Sequence, residues 1–173
     1  LFFPSLLSSV LFLDFFMYGV IYVSFGSALR GSMMSEENRK LLLNVFGRFK
    51  QYDVIWKWET EEMPDKPDNV LLSKWLPQQD VLGHPKLKVF ITHAGQSSFQ
   101  ETLCHQKPVV AIPVGGDQPV NANEAERLGF GISQPYASLD ETDLYNALDK
   151  VLHDPKYKDT AQRLGSALND QLT

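Results

Sequence analysis

The stretch FITHAGQSSFQE, Phe90 to Glu101, sets a histidine, two adjacent serines and a carboxylate close together at the end of an apolar run. Phe90-Ile91-Thr92 has strand character and stops at His93. Ala94 and Gly95 leave room for close backbone approach. Ser97 and Ser98 then open a helix, whose free N–H groups and positive end favour an anion. A phosphate suits that place, with hydroxyls and an imidazolium as further donors. Glu101, one turn on, is placed to accept from two vicinal hydroxyls such as those of a ribose. Taken singly, each residue has a plainer reading: a capped strand-terminal histidine, a serine helix cap, a solvated carboxylate. The spacing of all four together points to a nucleotide, diphosphate first and ribose beside it.

Such a stretch needs a scaffold that ends strands beside helix starts. Short apolar runs at Val20–Phe25, Val54–Trp58, Val70–Ser73, Lys88–Thr92 and Pro108–Ile112, with a weaker one at Gly131–Ser133, alternate with helix-like stretches. That alternation predicts a doubly wound α/β domain with a parallel, Rossmann-like sheet covered on both faces. Ligands then sit beyond the carboxyl ends of the strands. Ser35 is expected to cap a helix with Glu36 and Glu37 in its first turn and Leu41, Leu42, Val45, Phe46 and Phe49 on its apolar face. Helices are also expected over Ser97–His105 and Asn121–Leu128. Another should start from a capping box of Ser138 with Glu141, and a last one from Pro155.

The chain has 173 residues, enough for one domain with a full core, and a formal net charge of −5. That charge, with no basic stripe along the sequence, argues against a nucleic-acid surface. The single cysteine, Cys104, excludes an internal disulfide and a cysteine-only metal site. HExxH, CxxC, P-loop and GxGxxG patterns are all missing from the sequence. The chain opens on Leu1 rather than Met, which suggests a piece of a longer protein. Residues 1–19 are strongly apolar, yet they carry Asp14 within the run and no basic flank. They are expected to be an atypical segment rather than a membrane span, with the domain proper over 20–173.

Downstream the sequence continues TLCHQKPVVAIPVGGDQPVNA, and upstream it carries VSFGS and WLPQQDVLGHP in the same order. From Phe90 to Gln118 the chain resembles the signature of the UDP-glycosyltransferase family, the UDP-glucuronosyl and UDP-glucosyl transferases. The likeness runs from about Val20 to Asp170 and has the look of animal members, invertebrate ones among them. The resemblance implies the C-terminal, donor-binding half of a two-domain GT-B enzyme that moves a hexosyl group from a UDP-sugar to a small lipophilic acceptor, inverting the sugar centre.

Residue by residue, it implies that Trp75 stacks on uracil, that Gln78 lies near the base and ribose, and that Glu101 accepts from the ribose. Ser27, His93, Ser97 and Ser98 match the diphosphate site, and Asp117 with Gln118 matches the pair that holds the donor sugar. The family commonly has Gly at Ala94 and Asn at Ser97, departures expected to weaken binding rather than abolish it. UDP-sugar is a co-substrate in this reading, with no metal or other cofactor. The catalytic base is expected from an N-terminal domain outside this chain, so that the piece is inactive alone. The full-length relative would sit on the lumenal side of the endoplasmic reticulum membrane, through an anchor this sequence does not show. A non-catalytic UDP-binding module and a truncated product without function remain open at this point.

Overall fold

The computed structural model describes residues 13, 16, 18–27, 29–60 and 62–172. Six strands form one parallel sheet: β1 Val20–Ser24, β2 Asp53–Lys57, β3 Val70–Ser73, β4 Leu87–Thr92, β5 Val109–Ala111 and β6 Gly131–Ser133. Their order is β3-β2-β1-β4-β5-β6, so the direction of winding reverses between β1 and β4. There Tyr22 pairs with Phe90 and Ser24 with Thr92. All six expected strands are present, with ends moved by at most a residue or two. Parallel strands buried on both faces read as continuous apolar runs, which is why they were visible in the sequence.

Side chains alternate across a strand, so each strand feeds two cores. Ile21 and Val23 face one layer with Val54, Trp56, Val89 and Ile91. That layer is closed by α1, Glu36–Arg48, through Leu42, Val45 and Phe46, and by α5, Glu141–His153, through Leu144, Leu148 and Val151. Val20 and Tyr22 face the other layer with Phe90, Val109 and Phe130. Over it lie α2 (Gln78–Gly83), α3 (Gln96–Cys104), α4 (Gln118–Leu128) and α6 (Pro155–Leu172). Each large apolar side chain buried this way contributes roughly 1.5–3 kcal/mol. Trp56 and Trp58 pack edge to face at 4.9 Å in this structure, as their alternation on a strand suggested. No helix among the described residues is long and apolar enough to cross a membrane.

Of the apolar segment 1–19, residues 1–12, 14, 15 and 17, Asp14 included, lie outside the described residues. Leu13 is fully buried in the second core, and the Phe16 carbonyl accepts from Lys86 Nζ at 2.7 Å, so this part packs onto the domain.

Three local expectations need correction. The helix expected from Asn121 begins at Gln118, because Pro119 falls in its first turn, where no intrahelical N–H is needed. The helix α2 was not anticipated: it lies wholly within WLPQQDVLGHP. The cap of α5 is Asp140, not Ser138. Asp140 Oδ1 accepts from Thr142 N at 2.9 Å and Asp143 N at 3.0 Å, while Ser138 closes a short 3-10 turn. Leu139 is extended and puts Ser138 out of reach of the helix end. Asp140→Ala is expected to cost about 1 kcal/mol of stability, and Ser138→Ala to stay within about 0.5 kcal/mol. Urea unfolding of both variants checks this, and a larger loss for Ser138→Ala would return the cap to that residue.

Candidate functional site

The carboxyl ends of β1 and β4 lie side by side at the reversal of strand order, where an open α/β sheet offers a crevice. Two turns meet there. After β1, Ser24 Oγ accepts from Gly26 N at 3.3 Å, and Gly26 takes a left-handed φ of 58°. After β4, Thr92 Oγ1 accepts from Ala94 N at 3.2 Å, and Ala94 takes a φ of 62°. A residue with a Cβ pays roughly 1–2 kcal/mol for that conformation.

His93 lies between these turns and is 9% exposed. A Cβ on Gly26 would come within 2.7 Å of its Cε1, and one on Gly95 within 2.5 Å of its Nε2, so the ring fits only between two glycines. Its Nδ1 is buried without a hydrogen bond of good geometry among the described residues. Burial holds the imidazole below its ordinary pKa. The Ser24 backbone and the Asp117 carboxylate pull the other way, and Lys57, at the end of β2, adds to the lowering. In the free protein the ring is therefore neutral at neutral pH.

Beside it, α3 starts at Gln96 with Gly95 as N-cap and no side-chain cap. Neither Ser97 nor Ser98 caps the helix, so the first N–H groups of α3 face the crevice without one. Ser97 is exposed and Ser98 buried. Ser98 Oγ accepts from Gln78 Nε2 at 3.3 Å, and the same nitrogen donates to Glu101 Oε2 at 2.6 Å. Gln79 Nε2 reaches Glu101 Oε1 at 3.5 Å. The Tyr22 hydroxyl donates to Gln78 Oε1 at 3.4 Å, which leaves the amide nitrogen facing the carboxylate. Tyr22 is stacked on Phe90 at 4.9 Å, and burial, with Glu101 adding to it, pushes its phenol up to about 12. It stays a donor throughout the physiological range.

Asp117 and Gln118 stand at the start of α4. Gln118 Oε1 accepts from Val114 N at 2.8 Å and Gly115 N at 3.2 Å, so it folds the GGDQ turn and leaves its amide nitrogen out of those bonds. Asn121 Nδ2 donates to Asp117 Oδ2 at 3.2 Å and to the Ala94 carbonyl at 2.9 Å, tying this turn to the one that carries His93. Ser27 is exposed in the turn after β1. Trp75 is 58% exposed, its carbonyl accepting from Ser73 Oγ at 2.8 Å, and it stands on the rim before α2.

The structure thus draws Gln78, Ser98 and Glu101 into one network and sets His93 within the electrostatic reach of Asp117, with Trp75, Ser27 and Ser97 on the exposed edge. Sequence reasoning missed Tyr22, Gln79, Asn121 and Lys57. Only Tyr22 left a signal, a phenol within an otherwise aliphatic strand, which needs a polar partner when buried. Among the described residues no group of three histidine, cysteine or acidic side chains is placed to hold a metal.

The chain is 37% identical over 154 residues to UDP-glycosyltransferase UGT5 of Dactylopius coccus, covering 89% of this chain and 29% of that protein. It is 37% identical over 154 residues to human 2-hydroxyacylsphingosine 1-beta-galactosyltransferase, covering 89% of this chain and 28% of that one. The chain therefore spans little more than a quarter of these relatives. Among solved structures, the glycotransferase of kitacinnamycin superposes with a TM-score of 0.77 at 27% identity, over 88% of this chain and 39% of that one. Os79 from O. sativa, in complex with U2F and trichothecene, does so at 0.80 and 22% identity over 95% and 40%, a likeness of fold alone. Residues 16–173 match the UDP-glucoronosyl and UDP-glucosyl transferase family, and the chain belongs to it.

Proposed function

We propose that this domain is the donor-binding half of an inverting hexosyltransferase, taking a glucosyl or glucuronosyl group from its UDP-sugar for a small lipophilic acceptor. The observation that carries the reading is the network of Tyr22, Gln78, Ser98 and Glu101 beside the uncapped start of α3. A carboxylate held in place by two amides is ready to accept from ribose hydroxyls, because it retains lone pairs beyond those already used. Uracil lies on the face of Trp75, and the diphosphate lies over the N–H groups of α3 with His93, Ser27, Ser97 and Ser98 around it. The sugar reaches Asp117 and the free amide protons of Gln118.

In the reaction the acceptor oxygen attacks the anomeric carbon from the face opposite UDP. The bond from that carbon to the diphosphate oxygen breaks, and its electron pair leaves with UDP. The N–H groups of α3 and an imidazole that takes up a proton stabilise that charge. The acceptor pocket and the base that removes the acceptor proton come, in this reading, from parts of the protein outside this chain, so the chain alone binds donor without turnover. No metal enters the step. As the family resemblance implies, the whole protein works on the lumenal side of the endoplasmic reticulum membrane in this reading.

Calorimetric titration of UDP, with ADP as the control, tests the site. UDP is expected to bind saturably and ADP poorly. Trp75→Ala should weaken UDP roughly tenfold to hundredfold through lost stacking, and Glu101→Ala should weaken it through the lost ribose contact. A folded chain that ignores UDP, or binds it equally well in both variants, would sink the proposal.

The charge state of His93 gives a second test. Its ring resists protonation in the free protein, and a bound diphosphate favours the protonated form, so binding takes up a proton. Affinity for UDP-glucose, whose phosphates do not titrate near neutrality, should therefore rise as pH falls from about 7.5 through the ordinary histidine value of about 6.5. It should level off below the depressed free-state value. His93→Gln should flatten the profile, and a flat profile in the unaltered chain would remove the imidazole from the phosphate site.

A further inference from the structure

At the opposite, amino-terminal edge of the sheet lies a cavity of about 280 Å³ that the donor site does not use. Lys88 on β4, Lys107 just before β5 and Lys158 on α6 line it, together with His105, Gln106 and Gln162. None of these six residues is acidic. Among the described residues, no carboxylate lies within ion-pair distance of Lys88, Lys107 or Lys158, although the chain as a whole carries a net charge of −5. Three like charges have been gathered around one hollow while acidic residues are in excess elsewhere.

The cluster is built into the fold rather than scattered over the surface. Gln106 turns the chain sharply after α3 with a left-handed φ of 59°, and the Lys107 amide donates back to the Thr102 carbonyl at 3.1 Å. Lys107 Nζ then donates to the carbonyls of His84 at 3.0 Å and Leu87 at 3.4 Å, which fixes the ammonium and leaves one of its three protons uncommitted. The stem of Lys88 lies against Gly19, where a Cβ would meet Lys88 Cγ at 2.7 Å. Burial first, then the charges of Lys88 and Lys158, bring the Lys107 ammonium down to about 8. The free protein holds these cations together at a cost that a bound anion would relieve.

We propose that this cavity is a second anion site, binding a phosphate group between Lys88, Lys107 and Lys158. The phosphate is either a free phosphate compound or the phosphorylated headgroup of a lipid, since both present the same oxygens to the same ammonium groups. The inference is independent of the donor site, which lies at the other end of the strands.

Inorganic phosphate is titrated calorimetrically into the full chain and into Lys88→Gln, Lys158→Gln and His93→Gln. In parallel, phosphatidylcholine vesicles with and without phosphatidylinositol phosphate are sedimented with the same proteins. The expected result is saturable phosphate binding, weakened roughly tenfold or more by either lysine change and kept by His93→Gln. Retention on the phosphoinositide vesicles alone, lost in the same lysine variants, assigns the site to a headgroup. Binding to neither ligand, binding that both lysine variants keep, or phosphate binding lost only in His93→Gln would overturn the proposal. Lys88 and Lys158 are both exposed, so their removal tests charge without disturbing the core, unlike Lys107 with its two carbonyl bonds.

Discussion

Everything at the candidate site depends on the pairing of β1 with β4. Because Ser24 lies opposite Thr92, the turns that leave the two strands emerge at the same height and side by side. One supplies Gly26 and the other supplies His93 and Gly95, and the imidazole fits because two of its neighbours lack a Cβ. A slip of register by one residue would carry Tyr22 to the other face of the sheet and remove it from Gln78. The same pairing marks the reversal of strand order, so the crevice and its lining arise from one structural event.

From this centre the order of the site propagates outward through Tyr22, Phe90 and Asn121, which touch no ligand in the proposed reading, and through Gln78 and Gln118. Phe90 stacks on Tyr22, Tyr22 donates to Gln78, and Gln78 donates to Ser98 and Glu101. On the other flank, Asn121 joins the Ala94 carbonyl to Asp117, and Gln118 folds its own turn through Val114 and Gly115. A carboxylate on a half-exposed helix would otherwise sample several rotamers, and ordering it on binding would cost about 0.5–1.5 kcal/mol. Here most of that ordering is already present in the free protein.

The strands and the turn that carries His93 were legible because their signals are local. A parallel strand is a run of apolar residues, and a strand that ends on His93 before small residues and serines announces a turn into a helix. Helix starts were less legible. Ser138 with Glu141 satisfies the spacing of a capping box, but Asp140 lies nearer the helix and has the better acceptor geometry. The pairings within the site were not legible. Tyr22 and Gln78 are 56 positions apart, and Asn121 reaches Ala94 across 27, so only the folded sheet brings them together. The family resemblance supplied roles for Trp75, Glu101 and Asp117, but not the side chains that hold them in place.

The electrostatics of the crevice follow from the cost of burying charge. A fixed cation as deeply buried as His93 would need a permanent counter-ion or would lose its proton. The site instead presents dipoles, the free N–H groups at the start of α3, together with an imidazole that is neutral when unoccupied. Burial disfavours a proton on that ring, Asp117 favours one and Lys57 opposes it. In the proposed reading the arrangement holds no unpaired buried charge while it waits, and it becomes cationic only when negative charge arrives to be stabilised. In a transfer that leaves its electron pair on UDP, that charge is needed most at the moment the bond breaks.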